Sequence, residues 1–210
     1  MTPPDESKVS LTRTQRRAQQ MRRVIVDIAE SLYIDEGVAA VNAETIAARA
    51  DISVQTVYNR VGVRDALLVA ITEKALSTNR AFMDETFTTT EGNAEQRVLA
   101  VASAFIEFAR THRRQFRLLT TPPGPAAQAL VNAQAEIQIG QLAQILDAGM
   151  DEGLGTPGLN TRHVAIALWA MLSGLLAMTF ADDTIIGEEE SEAVMTTALN
   201  ILRDGLLHRQ

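Results

Sequence analysis

The chain has 210 residues, of which 46% are hydrophobic, and its formal net charge at pH 7 is −7. It contains no cysteine, which excludes disulfide bonds and thiolate chemistry. No N-terminal apolar run of the signal-peptide kind is present, and no stretch of about twenty uninterrupted apolar residues is present either. These features predict a cytoplasmic protein without a membrane partner.

The spacing of apolar residues predicts an all-α fold of about nine helices, with no internal repeat and no strand alternation. Residues 1–12 are polar and contain paired prolines, so they are predicted to be a disordered tail. Gly37, the proline-rich segment 122–125 and the glycine-rich segment 153–158 are predicted breaks between helices. The predicted helices cover about residues 14–36, 43–50, 54–61, 64–87, 94–111, 113–120, 126–152, 161–180 and 188–207.

The second and third predicted helices are short and are joined by a tight turn. Ile46 and Ala47 begin an apolar face on the second helix, and Ile52 is the apolar residue of the turn. The Ser53 hydroxyl can cap the third helix, which Val57 holds against the second. The outer face of the third helix keeps three polar side chains: Gln55, Thr56 and Asn59. This arrangement is typical of a helix-turn-helix DNA reader.

The polar face of the third helix has the chemistry of base recognition. Glutamine and asparagine amides can pair with adenine, and a threonine methyl group can contact the methyl group of thymine. Tyr58, Arg60 and Arg64 are predicted to reach phosphates. The alternative interpretation is an ordinary solvated helix face. The residues predicted to contact DNA are Asn42, Ser53, Val54, Gln55, Thr56, Tyr58, Asn59, Arg60 and Arg64.

The segment Ile46–Ser53, which reads IAARADIS, and the following Thr56–Val61, which reads TVYNRV, resemble the N-terminal motif of the TetR (tetracycline-repressor) family. The similarity covers about the first third of the chain. Asp51 replaces the usual glycine of the turn, and asparagine and aspartate tolerate left-handed backbone better than most residues. Arg60 and Val61 replace a common His-Phe pair. The resemblance implies a DNA-binding regulator, but it does not transfer another member's operator.

Charge is distributed unevenly along the chain. Basic and acidic residues balance through Asp65, so the acidic excess lies in the remainder. Within the first segment, Arg13–Arg23 contains five arginines and no acid. Such a run is either a solvated basic face or an electrostatic footprint for phosphates, and the adjacent helix-turn-helix pattern favours phosphates.

The second region has candidates for a ligand pocket. The resemblance implies a pocket among the middle helices, and Trp169 is the strongest single candidate for its lining. Core packing is the alternative interpretation. The predicted pocket residues are Phe105, Phe108, Leu119, Ile139, Leu142 and Trp169.

No cofactor, metal or catalytic activity is predicted. His112, His163 and His208 are far apart and lack the spacing of metal ligands. The chain has no glycine-rich phosphate loop and no nucleophile motif.

The last two predicted helices have more apolar surface than one core needs. A two-fold dimer would bury the surplus in a four-helix bundle, and the resemblance implies the same pairing. The predicted interface residues are Leu168, Leu172, Leu175, Val194, Ala198 and Leu202.

Together these patterns predict a homodimeric regulator of the repressor type. We expect a tail over residues 1–12, a DNA-binding domain over 13–63 and a ligand-binding and dimerisation domain over 64–210. Its expected partners are double-stranded operator DNA, a second copy of the chain and an unidentified small, mostly apolar effector. Two alternatives remain: a DNA-binding regulator that responds to no ligand, and a helical enzyme or scaffold with a degenerate helix-turn-helix.

Overall fold

The computed structural model describes residues 12–153, 158–180 and 186–206. Over these ranges it contains nine α-helices and no strand, which confirms the predicted all-α fold. The predicted tail, apart from Thr12, and His208 lie outside the described residues. The helices are α1 Arg13–Glu36, α2 Ala43–Ala50, α3 Val54–Arg60, α4 Arg64–Thr89, α5 Ala94–Thr111, α6 Arg113–Thr120, α7 Pro125–Asp151, α8 Thr161–Phe180 and α9 Glu188–Leu206.

Helix starts are fixed by side chains that satisfy the free amide groups of the first turn. Thr12 forms a capping box with Gln15 at the start of α1, and Asn93 forms another with Gln96 at the start of α5. The first amide groups of a helix have no carbonyl partner within the helix, so the capping side chain sets the position at which the helix begins.

Two features differ from the prediction by more than the single residue seen at several helix ends. A single turn of 3-10 helix, Val38–Ala40, follows Gly37, where only a break is predicted. Helix α4 also continues past Phe87 to Thr89. The hydroxyls of Thr88 and Thr89 each donate to a carbonyl four residues earlier, both at 2.8 Å, so both side chains are satisfied within the helix.

The chain forms two compact units, residues 1–71 and 72–210, and the division falls inside α4. In the first unit α1 packs against α2 and α3. Its core consists of fully buried aliphatic side chains: Ile25, Leu32, Val41, Ile46, Val57, Leu67 and Ile71.

The second unit contains the rest of α4 and helices α5–α9. Helix α8 is its central element, because it packs against α5, α6, α7 and α9. Two bonds of 2.6 and 2.8 Å from Arg162 to the Glu136 carboxylate join α8 to α7, and they raise the pKa of Arg162. One core cluster includes Val101, Ile139, Leu142 and Leu168, and the other includes Phe108, Phe116, Leu172, Leu176 and Met195.

Candidate nucleic-acid interface and effector cavity

The turn between α2 and α3 depends on one residue in the left-handed region. Asp51 has φ 52° and is the described non-glycine residue with positive φ. Short polar side chains adopt this conformation at low cost, so the turn forms without glycine. The amide of Ile52 then donates to the Ala47 carbonyl at 3.0 Å, and Ser53 accepts from the Thr56 amide at 3.2 Å. Hydrogen bonds between residues close in sequence therefore close the turn and fix the start of α3.

The outer face of α3 presents its polar side chains to solvent. Gln55, Tyr58, Asn59 and Arg60 are exposed, whereas Val57 is fully buried. The Gln55 amide nitrogen donates to the Asn59 side-chain oxygen at 2.9 Å. Gln55 and Asn59, two of the three residues predicted to read bases, therefore lie side by side, one turn apart.

The other predicted DNA contacts in this segment are engaged in holding it together. The Ser53 and Thr56 hydroxyls bond each other at 2.9 Å, and Thr56 and Val54 are half-buried. Asn42 caps α2 by accepting from the Thr45 amide at 2.8 Å, and its own amide nitrogen donates to a carbonyl in the preceding turn at 3.2 Å. These bonds use one donor and one acceptor site of the Asn42 amide, so one of each remains for DNA.

The two predicted phosphate-binding arginines differ in their surroundings. Arg64 donates to the Val38 carbonyl at 2.7 Å, which ties the start of α4 to the 3-10 turn. The side chain of Arg60 makes no ion pair or hydrogen bond with any described residue. Arg60 is therefore free to bind a phosphate, whereas Arg64 has a structural bond to keep.

One exposed residue beside α3 was missed by the sequence reasoning. Val63 follows the glycine turn that separates α3 from α4, and 64% of its surface is exposed. Its only sequence signal is an apolar residue at a position that belongs to neither helical face.

A cavity of about 30 Å³ lies in the second unit, and its wall is almost entirely apolar. Two of its wall residues, Met83 and Phe87, lie one turn apart on α4. The lining residues are Met83, Phe87, Val98, Val101, Ala102, Phe105, Gln138, Leu142, Leu168, Trp169 and Leu172.

The structure brings together half of the predicted pocket residues. Phe105, Leu142 and Trp169 line the cavity. Phe108 is fully buried in the other core cluster, and Leu119 packs against that cluster. Ile139 belongs to the same cluster as Leu142 but does not reach the cavity.

A buried hydrogen bond adjoins the cavity. Gln138, which lines it, donates to the Asn79 side-chain oxygen of α4 at 2.7 Å, and both residues are nearly inaccessible. One turn earlier on α7, Gln134 accepts from Arg80 at 3.3 Å. We call these four residues the polar seam. Sequence reasoning missed it, although two glutamines four residues apart on an apolar helix face are the signal.

The predicted dimer residues are divided between the interior and the surface. Leu168 and Leu172 are buried within the subunit, whereas Leu175, Val194 and Ala198 are half-buried. The side chain of Leu202 lies outside the described residues. The apolar residues that α8 exposes follow one stripe, which we call the outer face of α8: Ile166, Ala167, Ala170, Gly174 and Met178.

No group of three or more His, Asp or Glu side chains suited to a metal ion occurs among the described residues. His112 instead packs among aromatic rings, with its ring centroid 5.1 Å from that of Phe82 and 5.8 Å from that of Phe108.

The second unit also carries a family signature. The profile of the tetracyclin repressor-like C-terminal domain matches residues 98–202, which is half of the chain. The chain belongs to the TetR family. This finding confirms the resemblance drawn from the N-terminal motif, and it rests on a different part of the sequence.

Solved structures share the fold of this TetR-family protein at low sequence identity. SmeT, the repressor of the Stenotrophomonas maltophilia multidrug efflux pump SmeDEF, is 20% identical with a TM-score of 0.71, over 91% of this chain and 92% of SmeT. A protein of unknown function from Rhodococcus sp. RHA1 is 23% identical with a TM-score of 0.71, over 97% and 100% of the two chains. AibR, solved with isovaleryl coenzyme A and operator DNA, is 16% identical with a TM-score of 0.66, over 86% and 96%. No curated protein matches the sequence.

Proposed function

We propose that this TetR-family protein is a transcriptional repressor that binds a palindromic operator as a dimer and is released by a small, mostly apolar ligand. The observation that carries the DNA-binding part is the exposed face of α3, where Gln55, Asn59 and the unpaired Arg60 are accessible together. The solved complex of AibR with operator DNA supports the same use of the fold. We further propose that the protein acts in the cytoplasm and has no catalytic activity.

The recognition helix divides into base-reading and backbone-binding positions. Gln55 and Asn59 can each offer a donor and an acceptor to an adenine edge in the major groove. Arg60 and the Tyr58 hydroxyl lie at the end of the helix, where contacts to phosphate fix orientation without reading sequence.

We expect Gln55→Ala to change base preference rather than overall affinity. Loss of one bidentate contact should reduce discrimination at one operator position by roughly 1–3 kcal/mol. Arg60→Ala should instead weaken binding to all sequences by a similar factor. Fluorescence anisotropy on a set of base-substituted duplexes measures both effects.

Gln128→Ala is the matched control for Gln55→Ala. Gln128 donates to Asn132 at 2.8 Å, so it forms the same exposed pair four residues apart, but on α7. It should leave DNA binding unchanged. A uniform loss of affinity for every duplex with Gln55→Ala would show that Gln55 does not read bases.

Dimerisation is proposed from the outer face of α8. By length and composition alone, helix α8 is apolar enough to cross a membrane. Only 28% of its most apolar 18 residues are buried in the single chain, so much apolar surface remains uncovered. Ile166 and Met178 expose 39% and 37% of their surface, and Ala170 and Gly174 between them allow close approach. A second copy would cover this face. A palindromic operator whose half-sites occupy successive major grooves requires two recognition helices about 34–36 Å apart, which a dimer can supply.

The effector is proposed to enter at the cavity beside Trp169. At about 30 Å³ the cavity is far smaller than the ~150 Å³ that holds benzene in an engineered apolar cavity, so a ligand must separate the surrounding helices. SmeT has been solved with triclosan, an example of a compact apolar ligand on this fold. The small cavity also favours the second candidate, a regulator that responds to no ligand.

We expect triclosan, used as a test compound, to raise the melting temperature and to change the emission of Trp169, the chain's single tryptophan. A ligand that binds only the folded state at a hundred times its Kd stabilises by about 2.7 kcal/mol. Val101→Phe, which fills the cavity, should abolish both responses. Because coupling is reciprocal, DNA should weaken ligand binding by the factor by which ligand weakens DNA binding. Stabilisation without any change in DNA affinity would support the ligand-independent candidate.

A further inference from the structure

The first part of α1 extends beyond the packed part of the helix. Its buried residues begin at Ile25, whereas residues 13–20 are exposed except for Ala18, which is half-buried. The capping box at Thr12 nevertheless starts a regular helix there. We call residues 13–23 the basic arm. It spans about 15 Å at 1.5 Å per residue.

The arginines of the basic arm lie on one side of the helix. At 100° per residue, Arg13, Arg16, Arg17 and Arg23 fall within a sector of about 120°. The buried residues of α1 are centred roughly 180° away from that sector. The fifth arginine, Arg22, lies on the side of the buried face and has an interaction of its own. The first unit therefore carries a stripe of four arginines directed away from its core.

The stripe has no compensating charge. None of the side chains of Arg13, Arg16, Arg17 and Arg23 makes an ion pair or hydrogen bond with any described residue, and the sequence has no acid between Glu6 and Asp27. Arginines three and four residues apart repel one another, and cations near a helix N-terminus oppose the helix dipole. Both effects destabilise the arm in isolation, and both are relieved by an anionic partner.

We propose that the basic arm is a second DNA-binding element that contacts the phosphate backbone outside the base pairs read by α3. This inference rests on the proposed function. Duplex DNA is the partner that fits best, because it presents one negative charge per about 1.7 Å of its axis, which continues over the whole length of the stripe. A membrane surface fits poorly, since the arm lacks the apolar face that an interfacial helix buries. The arm adds affinity without adding sequence specificity.

The test is the salt dependence of DNA binding, measured on an operator duplex and on a duplex of scrambled sequence. Each phosphate contact contributes about 0.9 to the slope of log K against log salt. The triple variant Arg13→Ala, Arg16→Ala, Arg17→Ala should therefore reduce that slope by about 2–3 for each bound subunit, or by about 5 for a dimer that uses both arms. Affinity for the two duplexes should fall by the same factor. Replacing the same three arginines by lysine should preserve most of the slope, because lysine also binds phosphate as a point charge.

Two arginines of the second unit provide the matched control. Arg97 and Arg110 on α5 also lack an ion pair with the described residues. The double variant Arg97→Ala, Arg110→Ala should leave the slope unchanged, and Arg13→Ala, Arg16→Ala should reduce it. An unchanged slope in the arm variants, or an equal reduction in the control, would overturn the inference. Circular dichroism checks that the variants remain folded.

The outcome for the arm is distinguishable from that for the proposed function. If the wild-type protein binds the operator and Gln55→Ala alters its base preference while the arm variants keep the full slope, only the inference is wrong. If the wild-type protein binds neither duplex at low salt, the proposed function is wrong as well.

Discussion

Ala170→Glu is expected to leave each subunit folded but to separate the dimer. Ala170 is exposed at the middle of the outer face of α8, so a larger polar side chain is tolerated in the single chain. In a two-fold interface the substitution places two carboxylates near each other, buried and unpaired, which typically destabilises an interface by several kcal/mol. Sedimentation velocity at micromolar concentration measures the change in mass.

DNA binding should fall together with dimerisation. Two linked recognition helices gain roughly 10²–10⁴-fold in affinity over one, because the second contact becomes intramolecular. Ala81→Glu is the control, since Ala81 is an exposed alanine on a different helix, α4. It should leave mass and affinity unchanged. An Ala170→Glu protein that remains a dimer would remove the outer face of α8 from the interface.

Asn79→Leu is expected to destabilise the second unit strongly although it adds apolar volume. The substitution leaves the Gln138 amide buried without its 2.7 Å partner, and an unsatisfied buried polar group costs about 1–3 kcal/mol. The double variant Asn79→Leu, Gln138→Met should recover most of that loss, because apolar groups of similar shape then replace both partners. Urea denaturation gives the free energy of unfolding of each variant.

The other half of the polar seam is the comparison. Arg80 is exposed but donates to the buried Gln134 oxygen, so Arg80→Met should also destabilise, although by less than Asn79→Leu because the arginine side of the bond is open to water. Simple additivity of Asn79→Leu and Gln138→Met would mean that the hydrogen bond contributes nothing specific to stability. The double-mutant cycle therefore isolates the bond from the loss of packing.

The limits of the helices were predictable because their signals are local. Ser53 accepts from an amide three residues away, as does the cap of α2, and Gly37 ends α1 with φ 83°. The extension of α4 to Thr89 was not predicted, since threonine favours both turns and back-bonding to helix carbonyls. The sequence does not distinguish these two conformations, and the structure shows that the helical one is adopted.

The candidate DNA-binding face was accessible from sequence for the same reason. The seven residues of α3 settle which side chains face out, and Val57 marks the buried side. The hydrogen bond of Arg64 could not be predicted from the sequence, because its acceptor, the Val38 carbonyl, is 26 residues away.

The cavity and the polar seam depend on contacts between distant segments. Asn79 and Gln138 are 59 residues apart, and neither carries a local signal for the other. The two faces of α8 could not be told apart from the sequence for a different reason. Apolar residues surround most of the helix, so their spacing does not distinguish the core face, which contains Leu168, from the outer face, which contains Ala170.

The hydrogen bond between Gln55 and Asn59 has a consequence for how the operator is described. Each amide is already oriented by the other at 2.9 Å. Under the base-reading role proposed for both, a base that turns one amide would also change what the other offers to its own base pair. Binding energies at well-separated base pairs are roughly additive, but coupled side chains break that rule. A scoring matrix that treats operator positions independently should misrank sites that differ at both of these positions, and a table of paired bases should rank them correctly.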